Sequence, residues 1–178
     1  MCADLMATAL GTATLSSTTD LAVLLEQYRT TILEPIEMPV IAQAHRLASR
    51  GRTKELIALD QEFLGNHPEW LQLSPASKRF GRDFLSRLHP LQDERVVQRI
   101  LKAAQYGKTP SHHLIVFGLT MAVFSIAPRQ GLADYAQSAL NALIATKAGK
   151  LKLTQDDRNA LFARSQSRLP EAIDRMVA

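Results

Sequence analysis

Five histidines and one cysteine are the side chains here best suited to holding a metal or attacking a substrate, and their spacing suits neither. His112 and His113 are neighbours, so on a helix their rings diverge by about 100 degrees and cannot both face one ion. The pair reads as structural or capping. His45, His67 and His89 each stand beside an arginine or a proline, which points to exposed positions. There is no HExxH, no paired Cys-His ligand spacing and no GxxxxGK[ST] loop. Cys2 is the lone thiol, without a basic neighbour, so neither a disulfide framework nor redox chemistry is expected and the context reads as cytoplasmic.

Carboxylate pairs occur at Asp93-Glu94 and Asp156-Asp157, both where helix N-termini favour negative charge. The serines lack a histidine and an acid at any recognisable motif. No catalytic residue, metal ligand or cofactor-binding residue is assigned on these grounds.

Lys and Arg exceed Asp and Glu by four in 178 residues. Arg95, Arg99 and Lys102 share one helical face, and Lys78, Arg79, Arg82 and Arg87 decorate another. Both read first as solvated faces, and a basic helical module binding nucleic acid is the rival reading. Aromatic residues are few and fall mostly at inward positions, so no stacking platform for single strands is expected. The start of the chain has an acid where a secretory signal would be basic. The apolar run Leu114 to Ala127 spans about 21 Å as a helix, too short for a bilayer core of about 30 Å.

The elements that position these residues are helices. Apolar residues recur at three and four spacing almost throughout, which predicts an all-α protein. The expectation is a single compact orthogonal bundle of about eight helices around a central apolar helix, over residues 15–178, after a frayed segment 1–14. Leu21, Leu24, Leu25, Tyr28 and Ile32 form the stripe of the first helix, capped from Thr18-Thr19-Asp20 and ending before Pro35. Pro39 opens a second helix, ended by Gly51. A third runs from Thr53, with Leu56, Ile57, Asp60, Phe63 and Leu64 inward. Ser74-Pro75 caps and opens a fourth, with Phe80, Phe84, Leu85 and Leu88 inward. A fifth spans Asp93 to Tyr106. Ser111 caps the central apolar helix, in which Gly118 permits close approach of a neighbour. Pro128 opens a seventh, ending near Gly149, and a last helix starts at Asp156 or Asp157 and is interrupted at Pro170.

Several segments, taken in order, resemble the UreF family of urease accessory proteins. Glu37, Pro39, Ala42, Ala44, Arg46 and Gly51 fit the family's acid, proline and alanine-rich helix, and Glu55 to Asp60 its next helix. Ser77, Phe80, Gly81 and Leu85 fit a serine, apolar, glycine, leucine series. His112, Phe117 and Gly118 fit the start of its apolar helix. Pro128, Leu132, Ala133, Tyr135 and Asn141 fit the helix after it. Near the C-terminus Gln155 and Asp157 are kept, while Thr154, Arg158 and Asn159 replace the usual glycines and glutamine. The family's N-terminal proline and glycine-rich stretch has no counterpart before Leu15, as in a shortened or divergent member.

The resemblance implies a non-enzymatic scaffold that binds the UreD accessory protein (also called UreH) and recruits the GTPase UreG. It also implies that the assembly delivers nickel to apo-urease, the metal being handled by the complex, and that the chain pairs as a homodimer. The matched residues not needed for the core, Arg79, Arg82, His112, Tyr135, Gln155 and Asp157, are the expected partner-binding positions.

Overall fold

The structure is a computed structural model that describes residues 16–177. Cys2, the segment 1–14 and Leu15, where the resemblance begins, lie outside the described residues. Within them the chain is helical and contains no strand. The helices are α1 (Thr18–Tyr28), a π-helix (Arg29–Glu37), α2 (Met38–Ser49), α3 (Thr53–Asn66), a 3-10 turn (Pro68–Trp70), α4 (Ser74–Ser86), α5 (Arg95–Gln105), α6 (His113–Val123), α7 (Pro128–Ala148), α8 (Gln155–Gln166) and α9 (Leu169–Val177). No helix among them is long and apolar enough to cross a membrane. The chain divides into two compact units, one comprising residues up to 38 with 132 onward, the other residues 39–131.

In the first unit, α1 starts with a reciprocal cap. The Asp20 amide donates to Ser17 Oγ at 3.1 Å, and the Ser17 amide donates to Asp20 Oδ2 at 3.0 Å. Ser17, rather than Thr18 or Thr19, is therefore the cap, with Asp20 as its partner three residues on. The stripe Leu21, Leu24, Leu25, Tyr28 and Ile32 is buried as its spacing predicts.

The first helix does not end before Pro35. The chain stays helical through it by widening to the π register, in which the Met38 amide donates to the Leu33 carbonyl five residues back. Proline has no N–H and crowds the carbonyl four residues earlier in a tight helix, and the wider register accommodates both defects. Thr30 and Thr31 hydroxyls donate to the Glu26 and Gln27 carbonyls in the turns just before it.

The C-terminal part of this unit repeats the capping device. The Asp157 amide donates to Thr154 Oγ1 at 3.1 Å and Asp157 Oδ2 accepts the Thr154 amide at 2.9 Å, so α8 begins at Gln155. The acid pair Asp156-Asp157 thus sits in a helix first turn, as its position predicts. α8 packs on α1 and buries its own Leu161 and Ser165, and a turn at Ser167 and Arg168 separates it from α9.

In the second unit, α2 closes on Gly51, whose φ of +65° admits the left-handed turn that the sequence predicts there. α6 is the apolar element, with Leu114, Ile115, Val116, Leu119 and Met121 buried. Gly118 lets α2 approach: a Cβ there would lie 2.6 Å from Ala44 Cβ and 2.6 Å from the Ile41 carbonyl.

α4 differs from its sequence reading in two ways. Leu73, in helical conformation, precedes it, so Ser74 is its first residue and not a cap. Its inner stripe is Ser74, Ser77, Gly81 and Leu85, with Leu88 buried in the turn beyond, while Phe80 is 63% exposed and Phe84 half-buried. The small residues set the phase because α6 passes so close: a Cβ on Gly81 would sit 1.9 Å from the Ser111 carbonyl oxygen. A phenylalanine cannot occupy that gap.

Candidate functional site

The polar residues of the second unit converge on the start of α6. Asp60, on the apolar stripe of α3, is wholly buried and its carboxylate accepts four hydrogen bonds. Oδ1 takes the His112 amide at 3.0 Å and His112 Nδ1 at 2.8 Å. Oδ2 takes the Ser111 amide at 2.6 Å and the Thr109 hydroxyl. A carboxylate from another helix thus takes the amides of His112, the residue that caps α6, and of Ser111 before it, at the end where the helix dipole favours negative charge. Ser111 is therefore not the cap of α6. It lies in the left-handed region at φ +62°, with its own hydroxyl buried and without a partner, held there by its amide bond to Asp60.

A second layer comes from α4. Ser74 Oγ lies 3.2 Å from His112 Nε2, and Ser77 Oγ lies 2.8 Å from His113 Nδ1 while accepting the His113 amide at 3.2 Å. The His112 ring packs against Phe63, with centroids 5.0 Å apart. The His113 ring sits between Trp70 at 5.7 Å and Phe80 at 6.1 Å. Burial pushes the His113 imidazole down to about 3, with His112 beside it adding to the shift, so His113 is neutral at ordinary pH.

Ser74, His112 and Asp60 stand in the order of a hydrolase triad, an alignment that the sequence motifs do not disclose. Its surroundings oppose that use. The serine, histidine and aspartate are 3%, 1% and 0% exposed, and the acid is saturated by capping bonds. A substrate carbonyl has no route to Ser74 Oγ in this conformation, and the line of three functions as a tie between α3, α4 and α6.

The first unit holds a different buried acid. Glu37, the last residue of the π-helix, is 0% exposed. Tyr28 Oη donates to its Oε2 at 2.5 Å and the Tyr135 hydroxyl also bonds the carboxylate, while Oε1 has no partner in good geometry. Burial raises the Glu37 carboxyl to about 7, although the two tyrosine bonds pull it down. Burial, reinforced by Glu37, pushes both tyrosine hydroxyls well above their ordinary range.

The six expected partner-binding residues divide between the two units, with Arg79, Arg82 and His112 in the second and Tyr135, Gln155 and Asp157 in the first. Arg79 and Arg82 lie exposed on α4, and Gln155 is exposed on the first turn of α8. His112 is enclosed by Asp60 and Ser74, Tyr135 is half-buried against Glu37, and Asp157 closes the cap of α8. Of the other histidines, His89 is exposed but His45 and His67 are half-buried. His67 lies 3.5 Å from Glu69 with its ring against Phe63, and burial lowers the His45 imidazole. Among the described residues no three His, Cys, Asp or Glu side chains group closely enough to hold a metal ion.

Asp60, Ser74 and Ser77 escaped the sequence reading as a site. The available signal was a carboxylate inside an apolar stripe, since a buried charge must be paired or bonded. Phe80 escaped as well: it is exposed and stacks on the half-buried Phe84, which the reading of inward aromatics did not foresee.

Fold and site together define an all-helical protein whose buried ionisable groups hold helices to one another. Comparison with known families places it further: the UreF family model matches residues 15–165, and the chain belongs to the UreF family of urease accessory proteins. Membership carries a role in urease maturation, as an accessory protein and not as a member of an enzyme family. No curated protein matches the chain.

Proposed function

We propose that the chain is a non-enzymatic scaffold of urease maturation, which assembles in the cytoplasm with the UreD (UreH) accessory protein and the GTPase UreG and pairs as a homodimer within that complex. Apo-urease is the client, and nickel is cargo of the assembly, with no cofactor held by this chain. The observation that carries this reading is the family match across residues 15–165. It is supported by the way the polar side chains at the start of α6 are consumed in joining helices, which leaves the exterior for recognition.

Arg79, Arg82 and Gln155 contribute from that exterior. His112, Tyr135 and Asp157 contribute by fixing the helices that present it. The test is co-purification of the chain with the UreG and UreD proteins of its own organism, at micromolar concentrations. A complex with either supports the scaffold reading, and no complex with either overturns it.

A further inference from the structure

The outward face of α4 combines two properties that a solvated helix does not need together. Phe80 is 63% exposed and stacks on Phe84, with centroids 6.4 Å apart and planes 9° from parallel. The same helix and its C-cap carry Lys78, Arg79, Arg82 and Arg87 against one acid, Asp83. None of the four cations is in an ion pair among the described residues. Arg82 Nε reaches only the Lys78 carbonyl, at 3.3 Å. At helical spacing Phe80, Phe84 and Arg87 form one ridge, and Arg79 and Arg82 occupy the adjoining exposed side of the helix.

The face is also rigid. Its back is held on α6 by the Gly81 approach and the Ser77 to His113 bonds, and the His113 ring stands edge-on behind Phe80 with planes at 88°. A side chain presented from a clamped helix loses little freedom on binding. An aromatic pair with one exposed member, on a helix whose outward side also carries arginines, has the composition of an interface centre, where aromatic residues and arginine carry most of the energy.

We propose that this face docks an acidic segment of a partner protein, with Phe80 and Phe84 receiving an apolar side chain and Arg79, Arg82 and Arg87 reading its carboxylates. Charge complementarity selects the occupant: Arg79, Arg82 and Arg87, exposed and outside any ion pair among the described residues, outnumber Asp83 and so attract carboxylates and repel another basic surface. The inference rests on the scaffold reading and supplies the chemistry of one of its contacts.

The test uses the full chain, titrated with UreG and with the UreD protein by calorimetry at two salt concentrations. Two variants are compared, Phe80→Ser and the triple Arg79→Glu, Arg82→Glu, Arg87→Glu, each checked for native helicity by circular dichroism. The expected result is binding of one partner that weakens with salt and falls on the order of 30-fold in Phe80→Ser and at least about tenfold in the triple variant. If the unaltered chain binds and both variants bind equally well, the α4 face is not the docking surface, although the scaffold reading stands. If the unaltered chain binds neither protein, the scaffold reading falls and this inference with it. Two further outcomes overturn the inference alone. One is binding of an oligo(dT) strand that both variants abolish while protein binding persists. The other is a homodimer, seen in sedimentation, that Phe80→Ser dissociates.

Discussion

Replacing Glu37 with glutamine should change how the stability of the protein depends on pH. The carboxyl is raised from 4.5 to about 7 by burial. A raised acid favours the folded state most below its unfolded pKa, where it is neutral in both states. That contribution is lost as pH climbs from the unfolded pKa to the folded one, because the unfolded chain then gains more by ionising. A rise from 4.5 to about 7 corresponds to about 3.4 kcal/mol in full, and about 2.5 kcal/mol of it falls between pH 5 and pH 8. The glutamine side chain would keep an acceptor for Tyr28 while removing the titration. Guanidinium unfolding followed by circular dichroism, run on both proteins at pH 5, 6, 7 and 8, reads the difference directly. Glu37→Gln should gain about 2 to 3 kcal/mol on the unaltered chain between the ends of that range. His113 acts equally in both proteins and cancels. Parallel stability curves across the range would refute the argument and show that Glu37 is solvated or otherwise compensated.

Three further outcomes follow from the second unit. His113 should remain neutral at pH 5, as read from imidazole nitrogen shifts; its depressed pKa means that stability is full above about 6.5 and is lost as pH falls towards 3, and a ring titrating near 6.5 would contradict the burial argument. Gly81→Ala should destabilise by about 3 kcal/mol or more, because the new methyl would lie 1.9 Å from the Ser111 carbonyl and 2.8 Å from the His113 amide; an unchanged melting temperature would mean that α4 and α6 are not so close. Ser111→Gly should be stabilising by about 1 kcal/mol in thermal unfolding, since glycine accepts φ +62° and removes an unpartnered buried hydroxyl; a loss of stability would give the Ser111 side chain a role that its environment does not show.

Where a structural requirement is met by residues close in sequence, it was legible. The stripe from Leu21 to Ile32, the turn at Gly51 and the acid in the first turn of α8 each follow from a local pattern, and each is present. Gly118 was legible too, because a glycine in an otherwise bulky apolar helix has few uses besides close packing. Pro35 misled because the local rule for proline is to stop a helix, and the π register is an exception that spacing does not announce. α4 misled because its phenylalanines outweigh its serines and glycine on any apolarity scale, yet the closeness of α6 admits only the small residues. Asp60 could be recognised as anomalous but not assigned, since the groups it binds lie 49 to 52 positions further along. Separations of 38 and 52 positions likewise hid the alignment of Ser74, His112 and Asp60.

That separation also sets an order of events during synthesis. Asp60 leaves the ribosome roughly 3 to 10 s before the amides it will receive, at ordinary elongation rates. Throughout that interval its carboxylate must stay hydrated, and α3 cannot settle its apolar stripe without dragging a charge out of water. Translation past His112 delivers four donors within a few residues of one another. The late arrival of one short segment is thus what allows an earlier helix to close, and a nascent chain halted before Thr109 would hold α3 open for any chaperone that recognises unfinished helices.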